Sequence, residues 1–354
     1  MIDTAAIDIQ KVAQSRIDEL DVNNIPFAKI YSDHMFVADY YNGEWQDLRI
    51  MPYQALPISP ANTAIHYGIS IFEGMKGYKN AEGDVLLFRP EKNAQRLNIS
   101  AERMCIPEIP EALFMQALTE LIRLDSQWVP GKDGTSLYIR PVVFATDEYI
   151  GIRPPESFRF MIITCPVGAY YSAPVKVKIE TKFVRAVEGG TGYAKTAGNY
   201  AASLYPAKLA QKEGFDQLVW TDGKTHEYIE ESGTMNVMFI IDDVLITAPT
   251  SGTILNGITR DSVLTLARDW GMTVEERPVK VAEIVEAARQ NRIQEAFGVG
   301  TAATIAQISA IGYEDELFEL TETTTRQFSN RVLSTLDEIK TGKVEDKFGW
   351  TLKV

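Results

Sequence analysis

One segment of the chain, residues 189–200, has the sequence GGTGYAKTAGNY. Its four glycines let the backbone come close to a bulky group, and small residues flank its single lysine, Lys195. A lysine amine can bind a phosphate or attack an aldehyde. The segment therefore predicts a nucleotide loop, a covalent cofactor anchor, or a glycine-rich turn with an exposed lysine.

The first interpretation is a P-loop. From Gly189 to Thr196 the spacing matches G-x-x-x-x-G-K-[ST], except that Ala194 replaces the second glycine. That glycine normally lets the backbone curl around the phosphate, so the added methyl group argues against the motif. The sequence also has no apolar strand ending in an aspartate that would obviously hold magnesium. A P-loop is therefore the weaker interpretation.

The second interpretation is a Schiff base between Lys195 and pyridoxal phosphate, which makes demands elsewhere in the chain. Glu231 offers a carboxylate for the pyridine nitrogen, and Tyr200 offers a phenol for the ring oxygen. The phosphate needs N–H donors, preferably at a helix start. The segment LNGITR at 255–260 enters a predicted helix, and GVGTA at 298–302 is a second glycine-rich turn.

The composition is that of an ordinary globular protein. With 354 residues, the chain is long enough for two domains at about 150 residues each. A net charge of −13 argues against nucleic acid or an anionic membrane as a main partner. No apolar run approaches the ~20 residues of a membrane span, and no secretory signal is visible at the first residues. We therefore expect a cytoplasmic protein.

The order of the predicted elements indicates an α+β fold. Helices are predicted at 4–20, 90–104 and 110–124, and strands are grouped with helices rather than alternating strictly. The proline-flanked run 166–174 marks the best domain boundary. The two cysteines, Cys105 and Cys165, lack the CxxC spacing of a zinc or redox site, so no metal is expected.

Several motifs in register resemble the fold-type IV pyridoxal-phosphate enzymes. The C-terminal half contains YAKTAGNY at 193–200, ESGTMN at 231–236, GITR at 257–260 and GTA at 300–302. The N-terminal half contains HYGISIFEG at 66–74, YIRP at 138–141 and CPVGAY at 165–170. Within that group the chain resembles the longer-chain branched-chain amino acid aminotransferases, from about residue 29 onwards.

This resemblance implies a two-domain organisation. We expect a small N-terminal α/β domain at 1–165, an interdomain loop at 166–176, and a larger C-terminal cofactor-binding domain at 177–354. It also implies a homodimer. The reaction implied is ping-pong transamination of L-leucine, L-isoleucine and L-valine with 2-oxoglutarate, giving branched-chain 2-oxo acids and L-glutamate.

The resemblance further assigns cofactor roles. Lys195 would form the internal aldimine and carry a proton between the substrate Cα and the cofactor. Glu231 would pair with the pyridine nitrogen, and Tyr200 would bind the phenolic oxygen. The remaining cofactor-binding residues, most of them phosphate ligands, would be Arg96, Thr234, Ile258, Thr259 and Thr301.

Substrate roles follow from the same resemblance. Aromatic side chains would enclose the branched side chain of the substrate, and polar groups would bind its carboxylate. Arg140 would bind the second carboxylate of glutamate. The predicted substrate-binding residues are Tyr67, Phe72, Tyr138, Arg140, Tyr170 and Ala302.

Two related activities are the nearest alternatives, namely those of the D-amino acid aminotransferases and the aminodeoxychorismate lyases. The D-amino acid enzymes bind carboxylate with an arginine and a histidine two residues apart, whereas residues 138–142 here are YIRPV. Both alternatives usually have shorter chains. The CxxC pair that follows GTA in mammalian relatives is replaced by alanines within 301–306, so thiol regulation of that kind is not expected.

Overall fold

The computed structural model describes residues 6–26, 28–168 and 173–354. Contacts divide the chain into two compact units. The first unit comprises Met1–Tyr170, Ala194–Ala197 and Asp337–Val354, and the second comprises Tyr171–Tyr193 and Gly198–Leu336. Helices and strands are mixed in both, as predicted for an α+β protein.

The first unit contains a mixed sheet with helices α1 (Thr63–Tyr67), α2 (Pro90–Arg103) and α3 (Glu111–Leu124). The predicted helices at 90–104 and 110–124 are thereby confirmed. The strands of this unit are β1 (Asp8–Ile9), β2 (His34–Tyr41), β3 (Glu44–Pro52), β4 (Ser70–Phe72), β5 (Met75–Lys79), β6 (Val85–Phe88), β7 (Ser136–Ala145), β8 (Phe158–Val167) and, from the end of the chain, β19 (Thr351–Lys353).

Within the described residues, the strand order of this sheet is β1-β3-β2-β8-β7-β5-β6-β19, and β4 also pairs with β7. Its core contains an aromatic cluster, in which the ring centre of Phe160 lies 5.5 Å from that of Phe36 and 5.9 Å from that of Phe114. Phe114 belongs to the apolar face of α3, whose buried residues recur at helical spacing. Burying that face fixes α3 on the sheet.

The helix predicted at 4–20 is wrong. Among the described residues of this stretch, the structure has the short strand β1 and a single turn of 3₁₀ helix at Ile17–Glu19. Asp33 accepts hydrogen bonds from the backbone of Arg16 and the hydroxyl of Ser15. These contacts and the pairing of β1 with β3 override a weak helical periodicity.

The second unit contains helices α4 (Ala197–Lys212), α5 (Ile258–Asp269), α6 (Val281–Arg289) and α7 (Phe328–Lys340); the first residue of α4 and the last residues of α7 belong to the first unit. Its strands are β9 (Val175–Ile179), β10 (Gln217–Thr221), β11 (Tyr228–Ser232), β12 (Met235–Ile241), β13 (Val244–Thr247), β14 (Thr273–Glu276), β15 (Val279–Lys280), β16 (Ile293–Gly300), β17 (Thr304–Tyr313) and β18 (Glu316–Glu319).

Strand pairing in the second unit closes on itself. In the described chain the order is β14-β13-β12-β16-β17-β9-β10-β11-β15, with β18 beside β17, and β11 also pairs with β12. Six strands from β12 through β16, β17, β9 and β10 to β11 thus form a closed ring of pairings. A closed ring leaves no edge strand exposed within it.

The two units differ from the predicted division at 1–165, 166–176 and 177–354. Residues 194–197 and 337–354 belong to the first unit rather than to the second. The physical reasons are local. Thr196 forms an isolated bridge to Ile71, and β19 pairs with β6, so both segments are bonded to residues of the first unit.

Candidate active site

Lys195 lies in the first unit, where both of its backbone groups are hydrogen-bonded. Its N–H donates to the hydroxyl oxygen of Ser100 over 2.8 Å, and its carbonyl accepts from the N–H of Phe72 over 3.1 Å. Ser100 belongs to α2 and Phe72 ends β4. One helix and one strand therefore fix the lysine backbone, while the side chain is half-buried.

The side chains next to the lysine are arranged around the ring of Phe72. Nζ of Lys195 is 4.9 Å from the ring centre, and the guanidinium carbon of Arg140 is 4.5 Å from it. Cations are attracted to the π-electrons of an aromatic ring. Phe72 thus holds the predicted nucleophile and the predicted carboxylate-binding arginine near each other.

Tyr138 and Arg140 form a polar pair on β7. Nη2 of Arg140 donates to the hydroxyl of Tyr138 over 2.7 Å, while its buried Nε has no hydrogen-bond partner in the described structure. The Tyr138 hydroxyl fills the space above Gly74, where an added Cβ would lie 2.4 Å from it. A guanidinium with an unused N–H beside a phenol is suited to binding a carboxylate.

Arg96 forms a buried ion pair with Glu73. Its Nε and Nη2 each donate to one carboxylate oxygen over 2.7 Å. Asn93, one turn earlier on α2, donates to the same carboxylate over 2.7 Å. Burial alone would raise the pKa of Glu73, but Arg96 and the other neighbours lower it below its ordinary value.

The structure says little about the substrate pocket at the other two predicted residues of the N-terminal half, Tyr67 and Tyr170. Tyr67 ends α1, where its side chain is exposed and its ring centre lies 6.1 Å from that of His66. Tyr170 lies outside the described residues. The part of the pocket assigned to these two tyrosines therefore stays a prediction.

Glu231 lies near the end of β11 in the second unit and is 3% exposed. Its Oε1 accepts from the backbone N–H of Leu255 over 2.8 Å, and its Oε2 lies 3.2 Å from Nε of Arg185. Arg185 also donates to the carbonyl oxygens of Gly192 and Thr253. The arginine compensates the charge of a carboxylate that would otherwise be costly to bury.

Asn236 pairs directly with Glu231 across β11 and β12. Its Nδ2 donates to the carbonyl of Leu255 over 3.0 Å. A Cβ at position 257 would lie 2.0 Å from Oδ1 of Asn236, so a larger residue there would require Asn236 to shift. One hairpin thus holds both the predicted partner of the pyridine nitrogen and the turn that leads into α5.

Helix α5 begins at Ile258, followed by the buried Thr259, and its N-cap Gly257 provides no side-chain cap. A helix of this length directs backbone N–H groups and a positive dipole end at its N-terminus, and such sites bind anions. The predicted phosphate ligands Ile258 and Thr259 are the first two residues of this helix, and their role stays a prediction.

The remaining predicted cofactor and substrate residues of the second unit lie in turns or on α4. Thr301 and Ala302 form the turn between β16 and β17, and Thr234 is exposed in the turn between β11 and β12. Tyr200 lies in the first turns of α4 and is half-buried. Within the second unit, the structure brings Glu231 to the segment that precedes Ile258 and Thr259.

The P-loop interpretation does not fit this arrangement. The strand that precedes the glycine-rich segment, β9, ends at Ile179, so no strand leads directly into the loop as a P-loop requires. The described residues contain no group of three His, Cys, Asp or Glu side chains placed to hold a metal ion. Nor is any helix among them long and apolar enough to cross a membrane.

Four residues of the site were not predicted from the sequence, namely Glu73, Ser100, Arg185 and Asn236. Glu73 and Asn236 stand inside the motifs quoted above, but nothing in a motif shows which charges pair. Arg185 and Ser100 act through contacts that are distant in sequence, with Glu231 and Lys195 respectively. Only the three-dimensional structure reveals such pairs.

The comparisons agree with these motifs. The amino-transferase class IV family model matches residues 70–311. Branched-chain-amino-acid aminotransferase 2 of Bacillus subtilis is 44% identical over 338 residues, covering 94% of this chain and 93% of the relative. The branched-chain-amino-acid aminotransferase of Mycolicibacterium smegmatis is 41% identical, covering 97% of this chain and 95% of the relative.

Solved structures give the same picture. The Escherichia coli branched-chain amino acid aminotransferase matches with a TM-score of 0.74 and 27% identity, covering 90% of this chain and 98% of that one. Another solved branched-chain amino acid aminotransferase, complexed with N-(5'-phosphopyridoxyl)-L-glutamate, matches with a TM-score of 0.71 and 25% identity. The match covers 89% of this chain and 97% of that one. The predicted fold-type IV architecture is confirmed, and the chain belongs to the class IV aminotransferase family.

Proposed function

We propose that the protein transfers amino groups from L-leucine, L-isoleucine and L-valine to 2-oxoglutarate by a ping-pong mechanism with pyridoxal 5'-phosphate. The products are branched-chain 2-oxo acids and L-glutamate. The observation that carries the proposal is the arrangement around Phe72, which sets the Lys195 amine beside the Arg140 guanidinium. Relatives at 41–44% identity named for this activity support it.

The residues fit the proposed cofactor. Glu231 would accept the pyridine N–H, and Tyr200 would bind the ring oxygen. Arg96, Ile258, Thr259 and Thr301 would bind the phosphate, with Thr234 close to the cofactor. The start of α5 at Ile258 supports a bound anion there, because backbone N–H groups and the positive end of the helix dipole lie at a helix N-terminus. When bound, pyridoxal phosphate supplies an electron sink for the electrons of the substrate Cα–H bond.

Lys195 would bind the cofactor covalently and then act as the general base. With the substrate bound, its Nζ would accept the proton from the substrate Cα and would later give that proton back. Its fixed backbone and unbranched side chain suit this exchange, because Nζ can move while the anchoring atoms stay in place.

One pocket must accept both a branched apolar side chain and the side chain of glutamate. Phe72 offers apolar surface, with Tyr67 and Tyr170 proposed beside it, while Tyr138 and the Ala302 backbone would bind the α-carboxylate. The buried Nε of Arg140, which has no partner in the described structure, supports its proposed role, because a second carboxylate would satisfy it.

We also infer a homodimer in the cytoplasm. Exposed apolar side chains such as Leu204 and Tyr205 on α4, at 69% and 62% exposure, support contact with a second copy. With a net charge of −13, neither nucleic acid nor an anionic membrane is proposed as a partner. Light scattering of the purified protein tests the dimer.

Borohydride reduction tests the proposal. The holoenzyme should be yellow, should lose its visible band on reduction, and should retain the cofactor on a peptide that contains Lys195. Turnover of the three branched-chain L-amino acids with 2-oxoglutarate, compared with D-alanine, then separates this activity from that of a D-amino acid aminotransferase. A colourless protein that binds nucleotides would refute the proposal.

A further inference from the structure

Glu73 is a buried carboxylate to which the proposed reaction gives no role. It lies between β4 and β5, next to Phe72, and its side chain is 0% exposed. Both of its oxygens are bound by Arg96, and Oε2 also accepts from Nδ2 of Asn93 and, over 3.3 Å, from the N–H of Gly74.

Resting on the proposed cofactor, we propose that Glu73 is a positioning residue that fixes the guanidinium plane of Arg96 for the phosphate of pyridoxal phosphate. The pairing is of the fork type, with two parallel N–H···O bonds of 2.7 Å. A single contact would let the guanidinium rotate about its stem, whereas two contacts define its plane.

Glu73 also preorganises the arginine energetically. Arg96 is 7% exposed, so loss of Glu73 would remove a carboxylate that compensates a buried charge in the cofactor-free protein. Glu73 keeps the arginine ordered before the phosphate arrives, so binding does not have to freeze a long side chain. Asn93 in turn orients the Glu73 carboxylate from the same helix as Arg96.

A purely charge-balancing role predicts the opposite effect on the phosphate. If Glu73 only neutralised Arg96, its removal would leave a stronger positive charge and tighten phosphate binding. If Glu73 only supported the fold, its removal would weaken binding of the cofactor with and without its phosphate alike. Only a positioning role predicts that removing Glu73 weakens the binding of pyridoxal phosphate and leaves the binding of pyridoxal almost unchanged.

The experiment measures the dissociation constants of pyridoxal phosphate and of pyridoxal for the cofactor-free protein, by absorbance titration. In Glu73→Gln the carboxylate becomes an isosteric amide that cannot accept both Arg96 bonds. We expect the dissociation constant of pyridoxal phosphate to rise roughly 10- to 100-fold, the cost of charged hydrogen bonds, and that of pyridoxal to change little. Glu91→Gln, an exposed carboxylate in the first turn of α2, is the matched control.

Equal losses for both ligands, unchanged binding, or tighter binding of pyridoxal phosphate would overturn the inference. Should Glu73→Gln fail to fold by circular dichroism, Glu73→Asp keeps the charge but is too short for both bonds, and the same phosphate-specific loss is expected. Borohydride trapping at Lys195 in the unmodified protein is scored separately. Failure of trapping rejects the proposed function, whereas trapping without the phosphate-specific loss rejects only the role of Glu73.

Discussion

The hydroxyl of Ser100 connects Lys195 to the helix that carries Arg96. Its Oγ accepts from the backbone N–H of Lys195 over 2.8 Å and donates to the carbonyl of Arg96 over 3.1 Å. The predicted covalent anchor and a predicted phosphate ligand are therefore held by one side chain. This relationship explains how a lysine in a glycine-rich segment has a defined backbone position.

Removing the amine tests the central role of Lys195. We expect Lys195→Ala to fold normally and to lose transamination, because general-base catalysis alone contributes roughly a hundred- to ten-thousandfold in rate and the covalent anchor is lost as well. Activity assays, the visible spectrum and circular dichroism give the readouts. Lys212→Ala, at an exposed position of α4, is the control and should keep full activity. Full activity in Lys195→Ala would refute the assignment.

Substituting the arginine on β7 separates the two substrate classes. In Arg140→Met, the half-reaction with glutamate should lose roughly 10- to 100-fold in kcat/KM, the cost of charge-assisted hydrogen bonds. The half-reaction with leucine should lose much less, since leucine has no second carboxylate. Arg123→Met, an exposed arginine of α3, provides the control. Equal losses in both half-reactions, measured in single turnovers, would contradict this role for Arg140.

The space above Gly74 predicts a steric effect on Tyr138. In Gly74→Ala the new Cβ would meet Oη of Tyr138 at 2.4 Å, so the ring must shift, which disturbs its hydrogen bond to Arg140. We expect a higher KM for both substrates and a cost of about 1–3 kcal/mol in the free energy of unfolding. Adding Tyr138→Phe should recover part of that stability. A Gly74→Ala protein with unchanged KM and stability would contradict the steric argument.

Some elements of this protein can be predicted from its sequence and others cannot, for physical reasons. The helices at 90–104 and 110–124 could be predicted because their buried faces recur at helical spacing. The helix at 4–20 was predicted wrongly because tertiary contacts with Asp33 decide that segment. Site residues inside motifs could be named by resemblance. The ion pair of Arg96 with Glu73 could not, because no spacing in the chain shows which buried charges meet.

A buried lysine pair in the first unit predicts a pH-dependent stability. Burial lowers the pKa of Lys340 to about 7 and that of Lys76 to about 8, and Asp337 only partly opposes this. The unfolded chain therefore binds more protons than the folded one between pH 7 and the ordinary lysine value of 10.5. The free energy of unfolding contributed by these groups accordingly rises with pH across that range.

Replacing Lys340 by methionine removes the buried ammonium group, whose Nζ lies 5.8 Å from the ring centre of Tyr78 and 5.1 Å from that of Phe88, and keeps an unbranched apolar side chain there. We expect Lys340→Met to be more stable than the unmodified protein at pH 7, by several kcal/mol at about 1.4 kcal/mol per pKa unit. The difference should shrink towards pH 10. Urea unfolding at several pH values measures it, with the exposed Lys343→Met as control. A difference independent of pH would contradict the assignment.

Two buried carboxylates next to Arg185 give a second prediction about charge. Glu230 neighbours Glu231, its Oε1 accepts from the hydroxyl of Thr253, and its buried Oε2 has no hydrogen-bond partner in the described structure. Burial raises the pKa of Glu230, while Thr253 and Arg185 act to lower it. A raised carboxyl pKa means that the folded protein holds the proton longer, so this group costs stability as pH rises.

Removing the guanidinium of Arg185 should increase the stability cost of the buried Glu230 carboxylate. In Arg185→Met we expect a loss of about 3–5 kcal/mol in the free energy of unfolding, as for a broken buried ion pair, with a steeper fall in stability above pH 5 than in the unmodified protein. The double variant Arg185→Met/Glu230→Gln should recover part of the loss and flatten the pH dependence, because one of the two uncompensated carboxylates is gone. Denaturant unfolding from pH 5 to 8 measures both. If Glu230→Gln gives no recovery in the Arg185→Met background, Arg185 does not balance the charge of Glu230.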